Sequence, residues 1–444
     1  MRATRHLRRK AVGGTILTAS LAVVLAASGS VASAASHGTH RAQEASGSGG
    51  AVNEGIVIAY TGPVSFEGGA ADSGVYPAIH EVNAAGGADG HKVNIVTEDT
   101  RGDPADAVPI VDKLIATTSD LIGVVGPGTA TAPTVVPILN SADVTDINMG
   151  GNASFDKSHY KYMWRLIPPD PANGEAMALW AKEKGYTKVA AVFGTTTGSQ
   201  GDLPGVLHGI KAIKATVVAQ VTLTPHQPSY RAEAEKVIAA HPQVVMTESD
   251  GTTAATFFSE LKQLGGLTPI MGTTATVIST WLGPVRQAIG ATAFKKNYTA
   301  VIDGTPKTTA ATRAYTSALK EVKSKVPAPW TQWVTNPYSG ADYDGVIAQA
   351  LAMDAAHSVS PKVYNRDLKT VTEPGRGKQK VYTYAQGQKA LKQGKKIQYV
   401  GATGSIRFDK YHNSFGDEAA VTVNGQDNPV VVKGITEKQI QALG

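Results

Sequence analysis

The sequence predicts an α/β protein made of two doubly wound lobes, each built on a mostly parallel sheet. Short apolar runs of strand length alternate with amphipathic segments of helix length from residue 55 onward, which is typical of βαβ units. The 444 residues exceed the usual size of one hydrophobic core. The 47 glycines and 23 prolines fit a fold with many loops better than a disordered chain.

The first 34 residues carry the three parts of an export signal. Five basic residues precede an apolar run at 16–27, and the small residues at 32–34 form a cleavage site of the A-x-A type. The run is too short and too interrupted for a membrane span. We expect cleavage after Ala34 and an exported protein that is secreted or held at the cell envelope. Residues 35–52, rich in serine and glycine, are expected to form a flexible tether.

Charge and cysteine content narrow the range of partners. The formal charge is +6, and removing the five basic residues of the export signal leaves +1. A charge near zero without basic blocks argues against nucleic acid as a partner. The chain has no cysteine, so we expect no disulfide, no thiol chemistry and no lipid anchor through cysteine.

In the first lobe, each predicted strand is followed by a helix. Ligands bind such folds where the carboxyl ends of the parallel strands meet. We therefore expect the loops at 61–63, 126–129 and 149–154 to surround a ligand. The predicted order is strand 55–60, helix 70–85, strand 93–97, helix 105–117, strand 121–125, a helix beginning near Pro133, and strand 145–148.

The helix that follows the third strand offers a site for a carboxylate. The Gly-Pro-Gly at 126–128 breaks the strand, and the N–H groups at the helix start have no partner within the helix. These donors and the positive end of the helix dipole can hold an anion without a basic side chain. The hydroxyl groups of Thr129 and Thr131 would complete the site. Helix capping is the alternative role for both threonines.

The second lobe repeats the alternation of strands and helices. The predicted order in this lobe is helix 175–184, strand 189–193, a loop rich in glycine and threonine at 194–201, strand 217–223, helix 230–240, strand 244–247, helix 254–264 and strand 269–272.

Farther along the chain, residues 361–396 are basic and polar, and we interpret them as a solvated surface insertion.

These motifs resemble the branched-chain amino acid and amide class of type I periplasmic binding proteins, relatives of the leucine/isoleucine/valine-binding protein. The resemblance rests on the Thr-Gly-Pro at 61–63, the segments 81–90 and 98–104, the Val-Gly-Pro at 125–127, and the segments 343–346 and 401–409. It implies two lobes joined by three crossings. The first lobe would comprise residues 53–167 and 299–403, and the second lobe residues 168–298 and 404–444.

The resemblance also implies which residues bind an amino acid. The ligand carboxylate would be held by the first lobe, and the second lobe would close over it. The family's acidic partner of the α-ammonium group falls on Thr274, which cannot neutralise a buried charge. Asp250 or Glu67 could supply the missing carboxylate, with helix capping and a solvated loop position as the respective alternatives. The implied contacts are Thr129, Ala130, Thr131, Gly150 and Asn152 in the first lobe, and Ser199 or Gln200, Ser249 and Asp250 in the second.

The chain lacks recognised catalytic motifs. It contains neither a G-x-S-x-G nor an H-E-x-x-H pattern, and the Gly-Pro-Gly at 126–128 lacks the third glycine of a dinucleotide site. We therefore expect no enzyme, no cofactor and no metal site, and a secreted hydrolase is disfavoured.

The resulting prediction is a monomeric, exported solute-binding protein. By hinged closure, it would deliver a small polar solute, an amino acid or amide, to the membrane permease of an ABC importer. Two alternatives stay open. The same fold could signal ligand binding to a membrane receptor, or it could serve in the envelope without a ligand.

Overall fold

The structure, a computed structural model, describes residues 49–304 and 307–444. The predicted export signal and the predicted tether up to residue 48 lie outside the described residues. The strands are β1 (Gly49–Ile58), β2 (His91–Asp99), β3 (Leu121–Gly128), β4 (Asp146–Met149), β5 (Met163–Arg165), β6 (Lys188–Gly194), β7 (Thr216–Leu223), β8 (Val244–Glu248), β9 (Ile270–Gly272), β10 (Tyr298–Asp303), β11 (Gln379–Val381), β12 (Ile397–Gly401), β13 (Gly404–Ser405), β14 (Glu418–Val423) and β15 (Pro429–Ile435).

The helices alternate with these strands through most of the chain. Within the described ranges, none is both long enough and apolar enough to cross a bilayer. The helices are α1 (Phe66–Ala84), α2 (Pro104–Thr117), α3 (Ala132–Ser141), α4 (Asp170–Glu183), α5 (Thr197–Ala212), α6 (Arg231–Ala239), α7 (Gly251–Gln263), α8 (Ser279–Ile289), α9 (Ala291–Asn297), α10 (Ala310–Glu321), α11 (Pro337–Ala356), α12 (Pro361–Tyr364), α13 (Asp367–Thr372), α14 (Tyr384–Lys392) and α15 (Glu437–Gln441).

The first lobe is built on a five-stranded sheet in the order β2-β1-β3-β4-β5. Each neighbouring pair in this sheet is parallel. The apolar face of α1 and the long helix α11 pack together over one side of the sheet, where Val75, Ile79 and Ile347 are buried. This sheet confirms the predicted α/β class with parallel strands.

The second lobe is built on a seven-stranded sheet in the order β15-β14-β10-β9-β8-β6-β7. Strands β6 to β10 are parallel, whereas β14 is antiparallel to β10 and β15 is antiparallel to β14. Aromatic side chains fill one side of this sheet, including Phe257, Trp281 and Tyr298, which are all buried. The lobe therefore has its own core.

The chain passes between the two lobes three times. These crossings lie between β5 and α4, between β10 and α10, and between β13 and β14. The first and third segments lie side by side. The Arg165 N–H donates to the His412 carbonyl (3.0 Å), and the Arg165 carbonyl accepts the Ser414 N–H (2.8 Å). The Trp164 ring stacks on the His412 ring at 3.9 Å between centroids. These contacts hold two of the three crossings as one unit.

Three boundaries differ from the sequence prediction. Residues 49–52, assigned to the tether, belong to β1. Strand β10 pairs with β9 and β14 in the second sheet, although residue 299 onward was assigned to the first lobe. Strand β13 pairs with β12 in a separate three-stranded sheet, not with the second lobe. An apolar strand has the same pattern whichever sheet it joins, so the sequence did not identify its neighbours.

The prediction of a solvated insertion at 361–396 is wrong. This stretch forms α12, α13, β11 and α14, and its apolar side chains join the first-lobe core. The Tyr384 N–H donates to the Glu81 carboxylate (2.7 Å), and its hydroxyl donates to the Gly87 carbonyl (2.8 Å). Most of the lysines that make the stretch look polar occupy exposed positions, such as Lys389 and Lys395. The buried members are Tyr364, Leu368, Val371, Val381 and Tyr384.

Glycines allow α4 and α5 to pack closely. A Cβ on Gly205 would overlap the Pro171 carbonyl, and one on Gly209 would lie 2.6 Å from the Ala178 Cβ. Both helices carry acidic residues of the cleft described below, so this close packing positions part of the site.

We expect Gly205→Ala to lower the free energy of unfolding by about 1–3 kcal/mol, because the added methyl group must push α4 away from α5. Urea denaturation measures this change. Gly283→Ala is the matched control. A Cβ at Gly283 in α8 would meet no atom within 4 Å outside its own turn of helix, so alanine there should stabilise by about 0.5–1 kcal/mol. Equal effects of the two substitutions would contradict the close packing.

Candidate functional site

A cavity of about 400 Å³ lies where the carboxyl ends of strands from both sheets face each other. A larger cavity of about 1220 Å³ lies against the crossings and includes none of the predicted site residues. We assign the candidate site to the smaller cavity, hereafter the cleft, because it has the position expected for a ligand in parallel sheets. Its lining includes the predicted residues Glu67, Thr129, Ala130, Ser199, Ser249, Asp250 and Thr274.

Residues of both lobes form the walls of the cleft. The Asp170 N–H at the start of α4 donates to the Gly151 carbonyl of the first lobe (2.7 Å). Phe66, at the start of α1, packs against the aromatic core of the second lobe. Its ring lies 6.1 Å from the ring of Tyr338, which also lines the cleft.

On the first-lobe side, Thr129 joins the loops that follow β3 and β4. Its hydroxyl accepts the Gly151 N–H (3.0 Å), and its carbonyl accepts a hydrogen bond from the Asn152 amide nitrogen (3.1 Å). The Thr131 N–H donates to the Gly128 carbonyl (3.1 Å), and the Gly150 N–H donates to Asn148 Oδ1 (2.8 Å). Two of the predicted anion-binding amides are therefore used inside the loops.

Thr131, Gly150 and Asn152 lie outside the cleft lining, whereas Ala130 lines it. Among the hydrogen bonds of the described residues, none uses the Ala130 N–H. This amide, like that of Thr129, is a predicted donor that remains available to a ligand oxygen.

On the second-lobe side, the predicted polar residues bind mainly to the protein itself. Ser199 Oγ donates to Glu248 Oε1 (3.0 Å). Gln200 Nε2 donates to the Gly194 carbonyl (2.6 Å), and Gln200 lies outside the cleft lining. Ser249 Oγ lies 3.4 Å from the Asp250 carbonyl oxygen.

Asp250 is the N-cap of α7. Its Oδ1 accepts the N–H groups of Thr252 (3.1 Å) and Thr253 (2.9 Å). Helix capping, one of the two roles considered from the sequence, therefore accounts for one carboxylate oxygen.

We expect Asp250→Ala to destabilise the protein by about 1 kcal/mol, because the cap is lost, and Asp250→Asn to cost only a few tenths. Thermal or urea denaturation of the two variants checks this. A loss of stability in the asparagine variant as large as in the alanine variant would show that charge, not capping, determines the role of Asp250.

Thr274 organises acidic residues that the sequence analysis did not identify. Its hydroxyl oxygen accepts hydrogen bonds from Asn173 Nδ2 (3.2 Å) and from the Asp303 N–H (3.0 Å). Asn173 Nδ2 also donates to Glu418 Oε2 (2.8 Å). The carboxylates of Asp303 and Glu418 therefore lie beside the position where the family's acid was expected.

The cleft is lined by acidic side chains. Neither lysine, arginine nor histidine is found among the described residues that line it. In residues 49–304 and 307–444, no three acidic or histidine side chains converge closely enough to hold a metal ion. We call the following six residues the acidic lining: Glu67, Asp170, Asp202, Glu248, Asp250 and Asp303.

Burial raises the pKa of several of these groups. Burial, followed by repulsion from Glu248, raises the pKa of Glu67 to about 8. Burial raises the pKa of Asp303 to about 7, although the Thr274 hydroxyl opposes the shift. Burial and then the Glu248 charge hold the pKa values of Asp170 and Asp202 well above the ordinary value of aspartate. At neutral pH, these carboxyl groups therefore need protons or a bound cation.

Some members of this lining stand at positions that are recognisable in the sequence. Asp170 and Asp303 stand where the chain passes between the lobes, and Glu248 ends an apolar strand. Asp202 lies inside α5 and Glu418 begins β14, and neither position stands out in the sequence. The acidic residues come from elements far apart in the chain, so only the fold brings them together.

Comparison with known proteins agrees with this architecture. The sequence model of a family described as periplasmic binding protein matches residues 52–404. Curated proteins gave no match. Among solved structures, the chain is similar to LivJ, the branched-chain amino acid transporter substrate binding protein from Streptococcus pneumoniae, in complex with isoleucine. The identity is 18% and the TM-score 0.65, over 87% of this chain and 99% of that chain.

Two further solved structures share the fold. The leucine binding protein LivK from Thermotoga maritima has 17% identity and a TM-score of 0.66, over 87% of this chain and 99% of that chain. A solute binding protein of an ABC transporter from R. palustris, in complex with benzoate, has 16% identity and a TM-score of 0.68, over 87% of this chain and 96% of that chain. Because the family model spans most of the sequence, the chain belongs to the periplasmic binding protein family.

Proposed function

We propose that the protein is an exported solute-binding protein that captures a small polar solute between its two lobes. The observation that carries this proposal is the cleft itself. It lies at the carboxyl ends of strands from both sheets, and residues of both lobes line it. Its volume of about 400 Å³ suits a small molecule.

The proposed partner is the membrane permease of an ABC importer. Periplasmic binding proteins are an exported family, and several similar structures belong to substrate-binding proteins of ABC transporters. Hinged closure about the three crossings would produce the form that the permease recognises. An amino acid or amide is the solute class that the sequence resemblance implies. The proposed contacts are Glu67, Thr129, Ala130, Ser199, Ser249 and Thr274.

A thermal-shift screen against amino acids, amides, amines and short-chain acids tests the proposal. We expect at least one solute to raise the melting temperature in proportion to its concentration. Failure of every class to bind would contradict the proposed function.

We expect Thr129→Arg to weaken binding of that solute at least tenfold, because the long side chain enters the cleft and the bond to the Gly151 N–H is lost. Calorimetric titration measures the affinity, and circular dichroism confirms folding. Thr117→Arg, at an exposed position of α2, is the matched control and should bind as the parent does. Unchanged affinity in Thr129→Arg would place the solute elsewhere.

A further inference from the structure

We infer that the solute held in the cleft has a net positive charge, as a cationic amino acid or a linear diamine has. The acidic lining would bind its ammonium groups. The inference rests on the proposed function, because it assigns a chemical class to the solute of the same cleft.

Asp202 supplies the first argument. Its side chain lines the cleft, and only 6% of the residue is exposed. The group within hydrogen-bonding range of its carboxyl is the carboxyl of Glu248, which is itself 8% exposed. Two buried carboxyl groups in contact repel each other when both are ionised. They therefore need either a shared proton or a cation between them. An ammonium group, with its three N–H donors, can bind both.

Asp170 of α4, whose carboxylate lies against Gly201 beside Asp202, supplies a second argument. Its Oδ2 has neither solvent contact nor a hydrogen-bond partner in the described part of the chain. Its N–H bonds across to Gly151, so the residue is fixed where the two lobes meet. A buried carboxylate oxygen without a donor is unusual in a folded protein, and here it adds an uncompensated acidic group beside Asp202 at the edge of the cleft.

The protein itself provides little positive charge to balance these groups. Burial raises the pKa of Asp170, and the positive charge of Arg165, at the first crossing, opposes this shift. The Arg165 guanidinium donates its hydrogen bonds elsewhere, to Asp156 and to the Asn152 carbonyl. Glu248 accepts hydrogen bonds from the hydroxyl groups of Ser199 and Thr273, which are neutral. The other titratable groups that face the acidic lining are Asp342 and Tyr338 from α11 and Glu418 from β14.

Charge balance then selects among small solutes. A zwitterionic amino acid brings one negative charge for each positive charge, so the excess of carboxylates in the cleft would persist. An anion such as benzoate would add to the excess. A solute with more ammonium or guanidinium groups than carboxylates reduces this excess. The carboxylates that would bind it come from several elements around the cavity.

Calorimetric titration of the purified protein at pH 8 tests the inference. The cationic probes are L-lysine, L-arginine, 1,4-diaminobutane and 1,5-diaminopentane. L-leucine and L-glutamine represent zwitterions, benzoate represents anions, and Ca²⁺ represents metal ions. We expect at least one cationic probe to bind at least tenfold more tightly than the zwitterions, benzoate and Ca²⁺. The ranking within the cationic probes then distinguishes an amino acid from a diamine.

The pH dependence gives a second readout. Protons compete with a cation for the same carboxyl groups, so the affinity for the best cationic probe should fall at least tenfold from pH 8 to pH 6. Titration in buffers of different ionisation enthalpy should show that protons are released on binding.

Substitutions locate the binding groups. Asp202→Asn in the second lobe and Glu67→Gln in the first should each weaken cation binding at least tenfold. Asp202→Asn should also raise the melting temperature of the solute-free protein at pH 8, because it removes a like charge. This gain separates loss of binding from loss of folding. Asp112→Asn, at an exposed position of α2, is the matched control and should change neither property.

Tightest binding of L-leucine, L-glutamine or benzoate would overturn the inference and leave the proposed function standing. Tightest binding of Ca²⁺ would overturn the inference as well. If no organic solute binds in this titration or in the wider screen, both the inference and the proposed function fail.

Discussion

The solute-free protein is expected to lose stability as the pH rises from about 5 to about 8.5. Burial raises the pKa of Glu67 to about 8 and that of Asp303 to about 7, whereas the same groups in the unfolded chain have ordinary values near 4. The folded protein therefore binds more protons than the unfolded chain in this range. By linkage, the stability that these groups contribute is fully present below the unfolded pKa and is lost as the pH rises through the folded pKa.

We expect the free energy of unfolding to fall by at least about 3 kcal/mol across this range, since each pKa unit corresponds to about 1.4 kcal/mol. Urea denaturation at a series of pH values measures the fall. Glu67→Gln removes one of the titrating groups and should make the dependence shallower, whereas Asp112→Asn should leave it as in the parent. A free energy of unfolding that is constant or rises between these pH values would contradict the burial of the acidic lining.

Loss of the Asp344 carboxylate is expected to destabilise the first lobe by about 3–5 kcal/mol. This residue of α11 is fully buried and accepts four hydrogen bonds. The donors are the Tyr399 hydroxyl (2.8 Å), the N–H groups of Ala402 (2.7 Å) and Thr403 (2.7 Å), and the Thr403 hydroxyl (2.5 Å). Burial raises the pKa of Asp344, and these four donors oppose the shift. The carboxylate thereby fixes the turn between β12 and β13, just before the third crossing.

Asp344→Ala leaves all four donors without their acceptor in a buried site, which is the physical reason for the large effect. Urea denaturation gives the change in free energy. Tyr399→Phe, which removes one donor and keeps the ring, is the comparison and should cost about 1 kcal/mol. Similar losses in the two variants would show that the turn does not depend on the carboxylate.

The sequence predicted the local structure of this chain well, because the signals are local. The predicted apolar run lies in β3, although the strand continues through the Gly-Pro-Gly at 126–128 that was expected to end it, and α3 begins at Ala132, directly before Pro133. Asp103 caps α2 by accepting the Ala105 N–H (2.8 Å), with Pro104 in the first turn. Strand period, helix caps and breakers are all readable within a few residues.

The sequence did not predict which elements become neighbours. Strand β10 is apolar and would fit either sheet, yet it lies between β9 and β14. The stretch at 361–396 looked solvated because of its many lysines, although Tyr364 and Tyr384 belong to the core. Such assignments depend on contacts between residues that are far apart in sequence.

The same limit applies to the candidate site. Thr129, Ala130 and Ser199 line the cleft, because they follow strands whose carboxyl ends meet. Asp202 and Asp303 were missed, since a single acidic residue in a helix or at a strand end is usually solvated. Their importance comes from burial beside one another, which only the assembled fold establishes.

A distance measured between the two lobes tests the central claim, capture of a solute by closure, most directly. The chain has no cysteine, so two can be introduced for spin labels without other changes. Suitable exposed positions are Ala116 in α2 of the first lobe and Ala232 in α6 of the second. With Ala116→Cys and Ala232→Cys labelled, pulsed electron paramagnetic resonance should show a distance distribution that shortens and narrows when a binding solute is added. A distribution that stays the same at saturating solute would contradict capture between moving lobes.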